Sequence, residues 1–161
     1  MNDFIMLSGP SGSGKSTYAI KLSKVLWDKD ERNAVISTDF IRECIFGDAS
    51  VQLFPNKVFN EAYRQIKKYL NEGYTVIFDA TNLVPKYRKK VLEVVSSCSV
   101  NIKRCIFFTT PLNKCIERQE KRDRKVPTKV IEKQYKKFVV PTVNEGFTAV
   151  LEIPNLYDLQ L

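Results

Sequence analysis

Gly9-Pro10-Ser11-Gly12-Ser13-Gly14-Lys15-Ser16-Thr17 carries the residue types that hold a polyphosphate. The spacing is G-x-x-x-x-G-K-[ST], the phosphate-binding P-loop. Glycines let such a loop curl with its N–H groups pointing inward at an anion. Lys15 is spaced to reach β- and γ-phosphates, and the Ser16 hydroxyl to ligate Mg²⁺. The candidate nucleotide-binding residues are therefore Gly9, Ser11, Gly12, Ser13, Gly14, Lys15, Ser16 and Thr17, with ATP and Mg²⁺ as expected cofactors. The alternative is a glycine-rich turn that binds nothing. The neighbouring elements decide against it, because strand, loop and helix come in the required order.

A P-loop needs an acidic partner near the metal, at the end of an apolar strand. Asp79 follows Thr75-Val76-Ile77-Phe78 and fits that place. Its bland reading is a turn or capping aspartate. Asp39 follows a second apolar run, at the sheet edge where open α/β domains bind ligands. A carboxylate there can take a proton from an attacking hydroxyl and aim it at the γ-phosphorus. Asp39 could instead cap the next helix, and both roles can coexist. Arg42, three residues on, shares a helical face with it and could hold an anionic acceptor group. Arg118 and Arg122 sit four apart in a polar segment, so they share a face and could cover the γ-phosphate. A charged helix surface is the competing reading, since Glu117, Glu120 and Asp123 are interleaved. Lys129, Lys133 and Lys137 form one basic repeat, and Lys86, Arg88, Lys89 and Lys90 a second cluster. Each could follow a nucleic-acid backbone or simply be a solvated face.

The elements that position these residues alternate between strand and helix. Phe4–Leu7 reads as strand one, and Ser16–Trp27 as a helix with Ala19, Leu22 and Leu26 inward. Ala34–Ser37 is strand two. Phe40–Phe46 is a short helix stopped by Gly47, and 48–55 a polar loop closed by Pro55. Phe59, Ala62, Tyr63, Ile66, Tyr69 and Leu70 mark an amphipathic helix ended by Gly73. Tyr74–Phe78 is strand three, and Tyr87, Val91, Leu92 and Val95 mark the next helix. Ile102–Phe108 is strand four. A helix begins at Pro111 with Leu112, Cys115 and Ile116 inward. From Glu117 to Lys125 no large apolar residue occurs, so this segment is expected to project into solvent. Val126-Pro127 breaks it, Ile131, Tyr135 and Phe138 restore the period, and Ala149–Ile153 is a fifth strand. The pattern predicts a three-layer α/β domain with a five-stranded, largely parallel sheet.

Composition narrows the chemistry. The chain has 161 residues, 43% hydrophobic and 27% charged, which suits one globular domain over 1–161 with a lid at about 117–126. Histidine is absent, which excludes Ser-His-Asp and Cys-His catalysis and His-ligated zinc. Any general base is expected to be a carboxylate. The four cysteines contain no C-x-x-C pair, which fits free thiols in a reducing compartment. The first strand starts almost at once, leaving no room for a leader, and no run approaches the roughly 18 apolar residues of a membrane span. The expectation is a cytoplasmic protein, of a cell or a virus-infected cell, without membrane contact. Lys and Arg total 26 against 18 Asp and Glu, a net charge of +8, which favours anionic partners.

Together these residues resemble the 5′-hydroxyl polynucleotide kinase family. The S-T-D-x-x-R run at Ser37 to Arg42 is similar to that family's segment with a general-base aspartate and a substrate-binding arginine. D-A-T-N at Asp79 to Asn82, followed by Arg88, is similar to its D-x-T-N element. R-x-x-x-R at Arg118 to Arg122 resembles its arginine lid, and Pro141–Phe147 with Ala149–Pro154 the end of the eukaryotic kinase domain. The resemblance implies a P-loop kinase-like fold with a small arginine-rich lid. It implies catalytic roles for Asp39, Lys15, Arg122 and Arg118, and metal ligation by Ser16 and Asp79. Acceptor contacts are implied for Asp39, Arg42, Thr81, Asn82 and Arg88. The implied reaction moves the γ-phosphate of ATP to the 5′-hydroxyl end of a DNA or RNA. The same segments occur in small bacterial and viral P-loop kinases, and relatives phosphorylate seryl-tRNA or small alcohols. The alternative is therefore a kinase of a small alcohol, nucleoside or aminoacyl-tRNA, and after it an NTPase switch. No D-x-D-G-T motif is present, so no 3′-phosphatase is expected.

Overall fold

The first apolar run lies at the centre of a sheet. In the computed structural model, which describes residues 2–154, β1 (Phe4–Ser8) is buried at every position. β3 (Thr75–Asp79) and β4 (Lys103–Phe108) flank it. β2 (Asn33–Ser37) and β5 (Ala149–Ile153) form the edges, giving the order β2-β3-β1-β4-β5. Every pairing is parallel. Strands covered on both faces read as unbroken apolar runs, as β1 and β3 do.

Helices cover both faces. α1 (Lys15–Asp28) lays Tyr18, Ala19, Leu22 and Leu26 over Ile5, Leu7, Ile77, Ile106 and Phe108. α3 (Pro55–Asn71) and α4 (Pro85–Ser96) cover the other face with Val58, Ala62, Ile66, Leu70, Val91, Leu92 and Val95. Fully burying each such side chain contributes about 1.5–3 kcal/mol, so the sheet is a stiff base. The result is the three-layer α/β fold of P-loop kinases. α2 (Thr38–Phe46), α5 (Leu112–Glu120) and α6 (Thr128–Lys137) complete the helices. Among the described residues, no helix is long and apolar enough to cross a membrane.

Three local expectations are corrected. Pro55 opens α3 instead of closing the preceding loop, because its fixed φ and missing N–H suit a first helical position. Ser37, not Asp39, caps α2: its Oγ accepts from the Phe40 N–H at 3.4 Å. Asp39 lies inside the first turn, with both carboxylate oxygens available to other partners. The polar stretch from Glu117 does not all project into solvent. α5 continues to Glu120, and Gln119 is 3% exposed, its Oε1 accepting from the Val126 N–H at 3.3 Å.

Candidate active site

The P-loop connects β1 to α1, and its shape is set by backbone. Gly14 is the N-cap of α1 at φ 105°, and Gly12 has φ 81°. A Cβ on Gly12 would lie 2.3 Å from the Cys115 carbonyl oxygen, so this position is closed to any side chain. α5 and its approach brace the loop from outside. Thr110 Oγ1 donates to Ser13 O at 2.9 Å, and Arg118 Nη1 reaches Ser13 O and Gly12 O at 3.3 and 3.4 Å. Ser13 is fully buried. The Gly9 N–H donates to Thr81 O at 2.9 Å, tying the loop to the segment after β3.

Lys15 is folded into this loop. Its Nζ donates to Pro10 O at 2.8 Å and to Ser13 Oγ at 3.4 Å, and the residue is 7% exposed. Burial holds the Lys15 pKa below the usual lysine value, with the charges of Asp79 and Asp39 opposing that shift. Ser16 Oγ donates to Asp79 Oδ2 at 2.6 Å. A hydroxyl and a carboxylate, adjacent at one cleft wall, are the hard oxygen donors that Mg²⁺ takes alongside phosphate oxygens. These two residues fit a Mg²⁺ site.

The loop opens into a cleft of about 510 Å³, a size suited to a nucleotide. Lys15, Ser16, Asp79 and Thr81 line its floor, and Asp39 and Arg42 one wall. Arg122, Arg124, Lys125 and Val126 line the lid side, and Val130 and Gln134 of α6 the far side. Asp39 is held by two arginines: Oδ1 meets Arg42 Nη1 at 2.8 Å and Oδ2 meets Arg124 Nη1 at 3.4 Å. Arg124 Nη2 also donates to Ala49 O at 2.8 Å, linking the lid to the loop before α3. Gln134 Oε1 accepts from the Ser11 N–H at 2.8 Å, so α6 touches the loop directly.

The structure divides the sequence-nominated residues into three groups. Lys15, Ser16, Asp79, Asp39, Arg42, Thr81 and Arg122 meet at one cleft with Ser11, Gly12 and Gly14. Gly9, Ser13 and Arg118 shape the loop from behind, and Thr17 is exposed on α1 away from the cleft. Asn82 and Arg88 require correction, because neither faces an acceptor. Asn82 is 4% exposed and its Nδ2 donates to Leu7 O at 2.7 Å. Arg88 is fully buried. Its Nε and Nη2 form a fork on the Glu145 carboxylate at 2.7 and 2.8 Å, while Nη1 donates to Asn82 O and Val139 O at 2.9 and 3.0 Å. A guanidinium with those bonds satisfied inside the protein positions chain segments and does not bind substrate. Gln119 and Gln134 were missed as cleft residues and carried no signal; Arg124, which shares the polar lid segment with Arg118 and Arg122, was left out of the candidate site.

Comparison with known proteins accords with this geometry. The chain is 32% identical over 146 residues to the L-seryl-tRNA(Sec) kinase of Methanococcus maripaludis, an alignment covering 85% of this chain and 52% of that protein. It is 28% identical over 163 aligned positions to the adenylyl-sulfate kinase of Buchnera aphidicola, covering 98% of this chain and 69% of that one. The chain thus spans about half the length of the seryl-tRNA kinase. In fold it is similar to a chain of the Pnkp1/Rnl/Hen1 RNA repair complex, with a TM-score of 0.71 at 22% identity over 84% of this chain and 43% of that chain. The family model for the AAA domain matches residues 4–141, and the chain belongs to that P-loop family.

Proposed function

We propose that this protein is an ATP-dependent phosphotransferase whose acceptor is an alcohol hydroxyl, and that the acceptor class is the one including aminoacyl-tRNA, nucleosides and small alcohols. The seryl hydroxyl of an aminoacyl-tRNA is the first candidate, supported by the 32% identity to a seryl-tRNA kinase. The observation that carries the kinase reading is the placement of Asp39 in one cleft with Lys15 and the Ser16–Asp79 pair. A hydroxyl entering beside Asp39 meets a carboxylate on its proton side and the γ-phosphorus on the other. As the new O–P bond forms, Asp39 takes the hydroxyl proton and the bond to the ADP oxygen breaks. Lys15 and the loop N–H groups hold the phosphates, and Arg122 faces the oxygens over which the transferring charge spreads. Ser16 and Asp79 would hold a Mg²⁺, which would supply positive charge to the phosphate oxygens.

A second reading, the 5′-hydroxyl of a polynucleotide, is favoured by the net charge of +8. It shares every catalytic part and differs in what carries the hydroxyl. The test offers γ-labelled ATP with seryl-tRNA, uncharged tRNA, 5′-hydroxyl DNA and RNA, adenylyl sulfate and nucleosides. Label on the seryl group supports the first candidate, and label on 5′ ends alone replaces it with the second. Phosphate release with no labelled acceptor would sink the kinase reading.

A further inference from the structure

The buried Arg88 has a consequence at the surface. Its Nη1 donates to Val139 O at 3.0 Å, just past the end of α6, and the Val139 N–H donates to Leu83 O at 2.9 Å, just before α4. Together these bonds lay the end of α6 against the start of α4. Two basic clusters far apart in sequence thereby meet. Lys137 Nζ stands 5.1 Å from the Tyr87 ring centroid and 3.4 Å from its hydroxyl. Tyr87 is 43% exposed and lies between Lys86 and the Lys89-Lys90 pair.

On α6, Lys129, Lys133 and Lys137 recur every fourth residue and share one strip. Val130 and Gln134, one position on in each turn, line the cleft. The lysine strip therefore borders the cleft and runs away from it onto α4. Among the described residues, none of Lys86, Lys90, Lys129, Lys133 and Lys137 is in an ion pair. Lys114 and Lys121 of the lid region differ, since both are matched to Glu117. Glu132 is the one acidic residue of α6; it lies beside the strip, three residues from Lys129, and among the described residues it is in no ion pair.

The geometry points to the α4–α6 surface as a binding face for the phosphate backbone of a nucleic acid that carries the acceptor hydroxyl. This rests on the kinase reading, whose acceptor it specifies as borne on a polyanion. Unmatched lysines at helical spacing track phosphates through charge and counterion release. An exposed tyrosine among them offers a stacking face for an unpaired base. The surface adjoins Val130 and Gln134, which line the same cleft as Asp39 and Arg42, so a strand bound along it can present its end to that cleft.

The test measures binding without transfer. Fluorescence anisotropy of labelled, uncharged tRNA is recorded across a salt series. The proteins are wild type, K133E/K137E, K133Q/K137Q and K21E/K24E. Lys21 and Lys24 are exposed on α1, on the opposite face of the sheet, and the reversal there changes net charge equally. The expected result is a loss of about tenfold or more in K133E/K137E, with the salt slope shallower by about 1 per lysine neutralised. K133Q/K137Q should lose less and K21E/K24E little. Binding of a fluorescent ATP analogue and the melting temperature should be unchanged in all three variants. Equal weakening by K21E/K24E would overturn the proposal, as would absence of tRNA binding or binding of phosphatidylserine vesicles in place of tRNA. If the face binds tRNA and no labelled product forms, the kinase reading fails while the binding face stands.

Discussion

Between Gly9 and Ser16 the cleft is held by backbone; between Asp39 and Arg124 it is held by side chains. The floor uses three glycines at positive φ, a lysine folded onto Pro10 O, and carbonyls gripped from behind by Thr110 and Arg118. The rim uses an aspartate whose side chain is 56% exposed, shared between Arg42 on its own helix and Arg124 on the lid. A floor built this way is preorganised for a ligand common to many proteins. A rim of ion pairs around that exposed carboxylate can yield to an acceptor and be respecified without disturbing the floor. The comparison predicts large, salt-insensitive losses for floor variants and graded losses for rim variants.

The largest effect is expected at Lys15. Lys15→Ala removes the buried cation at the phosphates and should abolish transfer while leaving the melting temperature near wild type or higher. The sign follows from burial. Burial lowers the Lys15 pKa in the free protein, so holding it charged costs stability below that folded pKa, and the cost is relieved as pH rises from the folded toward the unfolded value. Bound phosphates favour the ammonium, so binding takes up a proton near that pH. ATP affinity should fall as pH rises through the lowered Lys15 value, as read by fluorescent-nucleotide titration. Lys15→Arg should show no such fall. Labelled product at wild-type rate from Lys15→Ala would remove the phosphate-site assignment.

Arg122 comes next. Its side chain lines the cleft, and an arginine on transferring phosphoryl oxygens is worth about 10³-fold or more. Arg122→Ala should lower turnover far more than Lys121→Ala or Lys125→Ala, and Arg122→Lys should not restore it, since lysine lacks the planar fork. Small, equal, salt-screened effects at all three positions would make the segment a solvated face. Asp39→Asn follows, with transfer down by about two orders of magnitude or more and ATP binding retained. The N-cap of α2 belongs to Ser37, so this variant should leave stability almost unchanged. A stability loss with normal transfer would reverse the assignment.

What was legible in the sequence follows the same division. The P-loop is contiguous, and its strand, glycine spacing and helix are all local signals, so the floor could be read directly. The strands were legible to within a residue or two, because a sheet covered on both faces demands apolar runs. The rim depends on pairs distant in sequence. Arg88 read as an acceptor contact or one more cation of the cluster with Lys86, Lys89 and Lys90; its partner Glu145 is 57 residues away and nothing local marks the pair. Gln134 meets Ser11 across 123 residues, and a lone glutamine on a charged helix carries no periodic signal. Asp39 lines the cleft where its acceptor role was expected, and the capping alternative weighed for it belongs to Ser37, since both are capping residue types.

Arg124 gives the smallest effect and the finest test of the comparison. It touches Asp39 Oδ2 at 3.4 Å and Ala49 O at 2.8 Å, so it joins the lid to the acceptor wall. The ion pair is exposed, and exposed pairs contribute about 0.2–1 kcal/mol, which is less than tenfold in rate. Arg124→Ala should therefore raise the acceptor KM or lower turnover by under about tenfold, and high salt should shrink the difference. Two effects are superimposed here, since Arg124 both orients Asp39 and occupies one of its oxygens. A double-mutant cycle separates them. If Arg124 acts through Asp39, Arg124→Ala should change the rate of the Asp39→Asn protein less than that of wild type. If it acts only by holding the lid to Ala49, the two losses should add. A loss approaching that of Arg122→Ala would mean that Arg124 itself reaches the transferring phosphate, and the division between a rigid floor and a yielding rim would have to be redrawn to place both lid arginines with the floor.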